Sequence, residues 1–156
     1  HGRLSDEPLD KFNFPYFGFN AKATNIEAAI GCALVDDIDN IIEVRRNNVK
    51  YLNNKLGYSV LQDIENEYIS PHCYPIGTES IGIRNEKIKR LVEAGIEVRT
   101  LYNSIPNNTH FSSGEIYPEA LDYSMRYYYV PIHQNLTIGN LDYLARHIKY
   151  TLKDYE

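Results

Sequence analysis

Thr24-Asn25-Ile26-Glu27-Ala28-Ala29-Ile30-Gly31-Cys32-Ala33-Leu34-Val35-Asp36-Asp37-Ile38-Asp39 opens the most regular part of the chain. Thr24 and Glu27 form a capping box: the threonine hydroxyl accepts from the Glu27 backbone N–H while the glutamate carboxylate reaches back to the Thr24 N–H. A helix beginning near Asn25 is therefore predicted. Ile26, Ala29, Ile30, Ala33, Leu34, Ile38, Ile41, Ile42, Val49, Leu52 and Leu56 recur at helical spacing, and Gly57 supplies the stop. Unbroken, such a helix would run about 50 Å at ~1.5 Å per residue, longer than a small domain is wide. Asp36-Asp37-Ile38-Asp39 offers the break, with an aspartate able to cap a second helix that reaches outward.

Upstream, Phe12-Asn13-Phe14-Pro15-Tyr16-Phe17-Gly18-Phe19-Asn20 has no period, and its five aromatics in eight residues predict a segment that docks on another surface. If that patch stays uncovered it predicts a dimer. Downstream, Tyr58 to Gln62 and Tyr68 to Ile76 read as strands, the second confined to a sheet edge by Pro71 and Pro75. Asn85 to Ala94 reads as a helix capped by Asn85, with Ile88, Leu91 and Val92 on its apolar face and Gly95 as its stop. Ile96-Glu97-Val98-Arg99-Thr100 alternates, burying Ile96 and Val98 and projecting Glu97 and Arg99. Asn103 to Glu115 reads as a polar loop, Tyr127 to Pro131 as a short buried strand, and the C-terminus as a helix with Leu141, Leu144, Ile148 and Leu152 on one stripe. The fold class is α/β: a long or broken helix leading into a small sheet covered by helices, with a sandwich from about residue 58 onward.

Composition limits the function classes. The 156 residues carry a net charge of -5, which lacks the positive excess that binds a phosphate backbone, so nucleic acid is not an expected partner. The longest apolar run, Ala28 to Val35, is far short of the ~18 residues that suggest a membrane span. No secretory leader is visible in the first residues, and Cys32 and Cys73 lack redox or zinc spacing, so a cytoplasmic protein with reduced thiols is expected.

Few residues are arranged for chemistry. His72 and Cys73 are adjacent in an expected strand and would point to opposite faces, and His110, His133 and His147 lack metal-ligand spacing. Tyr127-Tyr128-Tyr129 suits either core packing or stacking on a base or sugar ring. Arg99 ends an alternating strand, faces away from its apolar side and precedes a polar loop; such an arginine forks onto phosphate or is solvated or salt-bridged.

Gly18-Phe19-Asn20-Ala21-Lys22-Ala23-Thr24-Asn25-Ile26-Glu27-Ala28-Ala29-Ile30-Gly31, followed by Asp39 and Arg45-Arg46-Asn47, resembles the signature of the DegT/StrS sugar aminotransferases. Gly95 to Arg99 and Val130-Pro131-Ile132-His133-Gln134-Asn135-Leu136-Thr137 resemble later pieces of the same family in the same order. The resemblance implies the C-terminal part of a fold type I enzyme: residues 1–37 as the end of the large cofactor domain, 38–57 as a connecting helix and 58–156 as the small domain. It implies pyridoxal 5'-phosphate as cofactor, a nucleotide-linked keto-sugar and an amino-acid donor as substrates, and a homodimer. Asn20 is implied at the cofactor phosphate of the neighbouring subunit, Lys22 at that phosphate or the substrate's, and Arg99, Tyr102 and Ser104 at the substrate. None of the eight lysines stands in the family's Ser-x-x-x-Lys setting, so no catalytic residue is assigned and the chain by itself is expected to be inactive. A pyridoxamine-dependent sugar dehydratase and a non-catalytic binding or assembly module are the alternatives.

Overall fold

The computed structural model describes residues 24–102 and 117–152, the last two as backbone only. Helix α1 (Asn25–Val35) starts at the capping box, with the Thr24 N–H donating to Glu27 Oε2 at 2.6 Å and the Glu27 N–H to Thr24 Oγ1 at 3.3 Å. The chain breaks at Asp36 and Asp37, and α2 (Ile38–Leu56) follows. Contrary to expectation, no aspartate side chain caps α2: Asp37 has ψ 6°, outside the extended conformation that a capping residue needs, and its carboxylate accepts from Asn40 Nδ2 at 3.0 Å instead. Gly57 ends α2 at φ 81°, in the left-handed region that glycine enters without strain.

Beyond it come β1 (Cys73–Gly77), α3 (Ile81–Glu93), β2 (Arg99–Thr100), α4 (Pro118–Arg126), β3 (Tyr127–Pro131) and α5 (Ile138–Leu152). The sheet order is β1-β3-β2, with both neighbours antiparallel to β3. β1 is thus the edge strand that its Pro75 requires, since an edge tolerates a residue with no N–H to donate.

Several expected boundaries move, for identifiable reasons. Tyr58 to Gln62 is not a strand and the edge strand begins at Cys73 rather than Tyr68. Side chains from α2 satisfy that backbone instead: Asn53 donates to the Val60 carbonyl at 3.1 Å and accepts from its N–H at 3.3 Å. Arg46 forks onto Asp63 and donates to the Ile69 carbonyl at 2.7 Å, while the Ile69 N–H donates to Asp63 at 2.8 Å. Leu61 and Asn66 adopt φ of 54° and 66°, which interrupts any extended run. Helix α3 begins four residues before the expected start because Ser80, not Asn85, is the cap, its Oγ accepting from the Ile83 N–H at 3.3 Å. Its inner stripe runs through Arg84, Lys87, Ile88 and Leu91, so Val92 faces outward. The segment Ile96 to Thr100 keeps its alternation but pairs only at Arg99 and Thr100. Helix α4, opened by Pro118 at its first turn, was not expected.

One face of the sheet builds the core. Tyr74, Ile76, Tyr128 and Val130 point inward onto Val49 and Leu52 of α2, Leu91 of α3, and Leu141, Leu144, Ala145 and Ile148 of α5. Helix α5 is held by a reciprocal cap, the Asn140 N–H donating to Thr137 Oγ1 at 3.2 Å and the Thr137 N–H to Asn140 Oδ1 at 2.9 Å. Helix α1 buries no residue, and Ile26, Ile30 and Leu34 stand 73%, 56% and 51% exposed on one stripe.

Candidate functional site

The sheet's second face is where chemistry gathers. Strand parity sends alternate residues to opposite sides, so Tyr128 and Val130 enter the core while Tyr127, Tyr129 and Pro131 project outward, half-buried. Register places Pro75 of β1 and Arg99 of β2 opposite Tyr129 on its two sides. Cys73, opposite Pro131, belongs to the same outer row. Within the tyrosine triplet, Tyr128 packs the core and its two neighbours line the outer face.

Arg99 is exposed at the end of that row. Its Nε and Nη2 donate to Glu97 Oε1 at 2.9 and 2.7 Å, an arrangement possible because residues two apart in an extended chain share a side. Glu97, first, and Tyr129 both raise the Arg99 pKa, so the guanidinium is a permanent cation. Two of its five N–H donors go to Glu97, which leaves donors for an incoming anion. Burial pushes the Tyr129 hydroxyl up, partly offset by the cation beside it, and it stays a neutral donor at physiological pH. His72 meets the Tyr129 ring edge-on with centroids 6.2 Å apart. Tyr127 lies over Gly77, where an added Cβ would come within 3.0 Å of its ring, and packs on Tyr123 at 4.8 Å. Glycine is needed there for that close approach.

Of the residues proposed from sequence, Arg99 and Tyr102 both border Tyr129, and Tyr102 is 68% exposed. Asn20, Lys22 and Ser104 lie outside the described residues. Glu97, His72 and Tyr129 were not singled out as a group; the parity shared by residues 97 and 99, and by 127, 129 and 131, was the available signal. A second concavity, of about 390 Å³, lies between α2 and the loop after Gly57. Of its two cations, Arg46 and Lys50, Arg46 is held by Asp63 and the Ile69 carbonyl and stacks on Tyr68 at 4.3 Å, which makes it a clamp for the loop.

The described residues do not make a cradle for an aldehyde cofactor. Lys55 is paired with Asp142 at 2.9 Å, Lys89 faces Glu93, Lys87 is buried beside Glu79, and Lys50 and Lys149 are exposed on helix surfaces. No described lysine faces the outer row of the sheet.

The helices back one face of the antiparallel sheet, and its other face presents a cation and aromatic rings. A family model for the DegT/DnrJ/EryC1/StrS aminotransferase family matches residues 1–149. The chain belongs to that family. It is 28% identical to the GDP-perosamine synthase of Caulobacter vibrioides, over 87% of this chain and 39% of that protein. Among solved structures it resembles Spr1654 of Streptococcus pneumoniae in its PMP form, with a TM-score of 0.74 and 24% identity over 83% of this chain and 35% of that one. It also resembles PseC of Helicobacter pylori, an aminotransferase involved in the biosynthesis of pseudoaminic acid, with a TM-score of 0.73 and 16% identity over 90% of this chain and 40% of that one. The chain therefore spans about two fifths of the length of the relatives it matches. Enzymes of this family use pyridoxal phosphate.

Proposed function

We propose that this chain is the small-domain portion of a cytoplasmic pyridoxal-phosphate aminotransferase that places an amino group on a nucleotide-linked keto-sugar for polysaccharide or deoxyamino-sugar synthesis. The observation that carries this reading is the outer face of the sheet, where Arg99 retains donors for a diphosphate and Tyr102 stands beside it, in a chain whose family acts on sugars. Arg99, Tyr102 and Ser104 contact the sugar nucleotide. Asn20 and Lys22 reach the cofactor phosphate across a homodimer interface. When bound, the cofactor supplies the electron sink for amino transfer, and its reactive lysine comes from the part of the family fold that this chain does not span. In this reading residues 1–37 complete the large domain, 38–57 connect, and 58–156 form the small domain. The apolar stripe of α1 is covered by the large domain, which accounts for a helix that buries nothing on its own.

The role of this chain's residues is positional. An arginine fork that engages a diphosphate orients the sugar toward the cofactor and excludes water from its charged end. The full-length enzyme that carries this chain, incubated with pyridoxal phosphate, glutamate and GDP- or UDP-linked 4-keto sugars, should give an amino sugar detectable by mass spectrometry. Arg99→Ala should raise KM about tenfold or more, the scale of one lost charge-assisted hydrogen bond. Absence of product from every such sugar would refute the enzyme reading. A second reading, a binding module without chemistry, is favoured by the lack of a described lysine on the outer row; it predicts tight nucleotide-sugar binding with no amino transfer in the same assay.

A further inference from the structure

The outer sheet face has one side chain whose place is determined on every side, and it is not among the residues assigned so far. Tyr129 sits in the central strand, so its backbone is laddered to β1 on one side and β2 on the other. A side chain there has less backbone freedom than one on an edge or loop, which is what a discriminating contact needs. Its hydroxyl lies against the Arg99 guanidinium, and Arg99 is itself pinned by Glu97. His72 abuts the ring edge-on. The residue is only half-buried, so part of the ring stays open on the outer face of the sheet.

Sugars present axial C–H groups on one side of the ring and hydroxyls around the rim, so an aromatic face beside a cation suits a pyranose joined to a diphosphate: the face takes the C–H side and the cation takes the phosphates. From this juxtaposition we propose that Tyr129 is a specificity-determining contact, its ring face packing on the pyranose of the nucleotide sugar while Arg99 holds the diphosphate. The inference rests on the sugar-nucleotide reading above and deepens it, by separating what reads the sugar from what reads the phosphates. The ring is the recognising part; the hydroxyl serves to hold the ring against Arg99.

The test is an NMR titration of this 156-residue chain with GDP, GDP-α-D-mannose, UDP and UDP-N-acetylglucosamine, following the Arg99 side-chain N–H and the Tyr129 ring signals. All four ligands should shift Arg99; only the two sugar nucleotides should shift the Tyr129 ring. Tyr129→Leu, which keeps a bulky apolar residue compatible with a strand, should weaken the sugar nucleotides by about 3- to 10-fold, the scale of one aromatic packing contact. The same change should alter GDP and UDP affinity by less than about twofold, and Tyr129→Phe should retain most of the preference for the sugar nucleotides. A thermal melt of each variant checks that the fold survives. If Tyr129→Leu binds sugar nucleotides as well as the parent while Arg99→Ala loses them, the pocket reading stands and the Tyr129 proposal falls. If no ligand shifts Arg99 at any concentration, the pocket reading falls and takes the proposal with it.

Discussion

Truncating Leu52 and Leu34 to alanine should separate the part of the long helical segment that belongs to the folded body from the part that does not. Both are leucines at apolar positions of the same sequence pattern. Leu52 is 0% exposed in α2, between the sheet and α5, whereas Leu34 is 51% exposed at the end of α1. Removing three carbons from a sealed site loses their transfer free energy and leaves a cavity, which costs about 2–5 kcal/mol. The half-exposed leucine opens no cavity, and alanine is the better helix former, so Leu34→Ala should cost less than about 0.5 kcal/mol. The assay is urea unfolding followed by circular dichroism, with equal slopes for the parent and both variants so that midpoints compare directly. A Leu52→Ala midpoint close to that of the parent would place the core elsewhere. A Leu34→Ala loss equal to that of Leu52→Ala would mean that α1 is packed in solution against something that the isolated chain provides, and the reading of α1 as a surface awaiting the large domain would be wrong.

Two more outcomes follow from the electrostatics. The fork from Arg46, with the Ile69 N–H, holds the Asp63 carboxyl down at about 2, below its ordinary 3.8. A depressed carboxylate adds stability above its unfolded pKa and loses it as pH falls through the folded value, so the loop after Gly57 should loosen between about pH 4 and pH 2. The protection of the Ile69 amide relative to its intrinsic exchange rate should fall across that window in the parent, while Asp63→Asn should show weak protection at every pH; protection unchanged with pH in the parent would contradict the clamp. Burial pushes the Cys73 thiol above its ordinary pKa, whereas Cys32 is exposed on α1. Iodoacetamide at neutral pH should therefore label Cys32 first, with Cys73 slower by about tenfold for each unit of upward shift; equal rates would indicate that the outer sheet face is more open than described.

Much of the local structure was readable in the residue order, because it depends on neighbours. The Thr24-to-Glu27 box, the left-handed glycines Gly57 and Gly95, and the alternation around Val98 each involve groups within a few residues of one another, and all appear as expected. The expected strand at Tyr58 to Gln62 failed because Asn53 takes both backbone groups of Val60, and the expected strand start at Tyr68 failed because Arg46 and Asp63 take those of Ile69, partners that local pattern does not announce. The start of α3 failed on two competing caps, Ser80 and Asn85, which propensity alone does not rank.

The candidate site divides along the same line. Arg99 could be picked out from its place at the end of an alternating segment, and Tyr102 only through the family resemblance, whose motifs sit in consecutive residues. That Arg99 stands opposite Tyr129, with Glu97 beside one and His72 beside the other, depends on an antiparallel register between segments about 30 residues apart in the chain, and that register follows from which faces of β1, β2 and β3 the helices cover. Hydrogen-bonding and helix-capping rules act over a turn or two and leave their marks in sequence. Burial of one sheet face acts on the whole chain at once, and only the folded molecule shows which tyrosine it turned inward and which it left on the outer face.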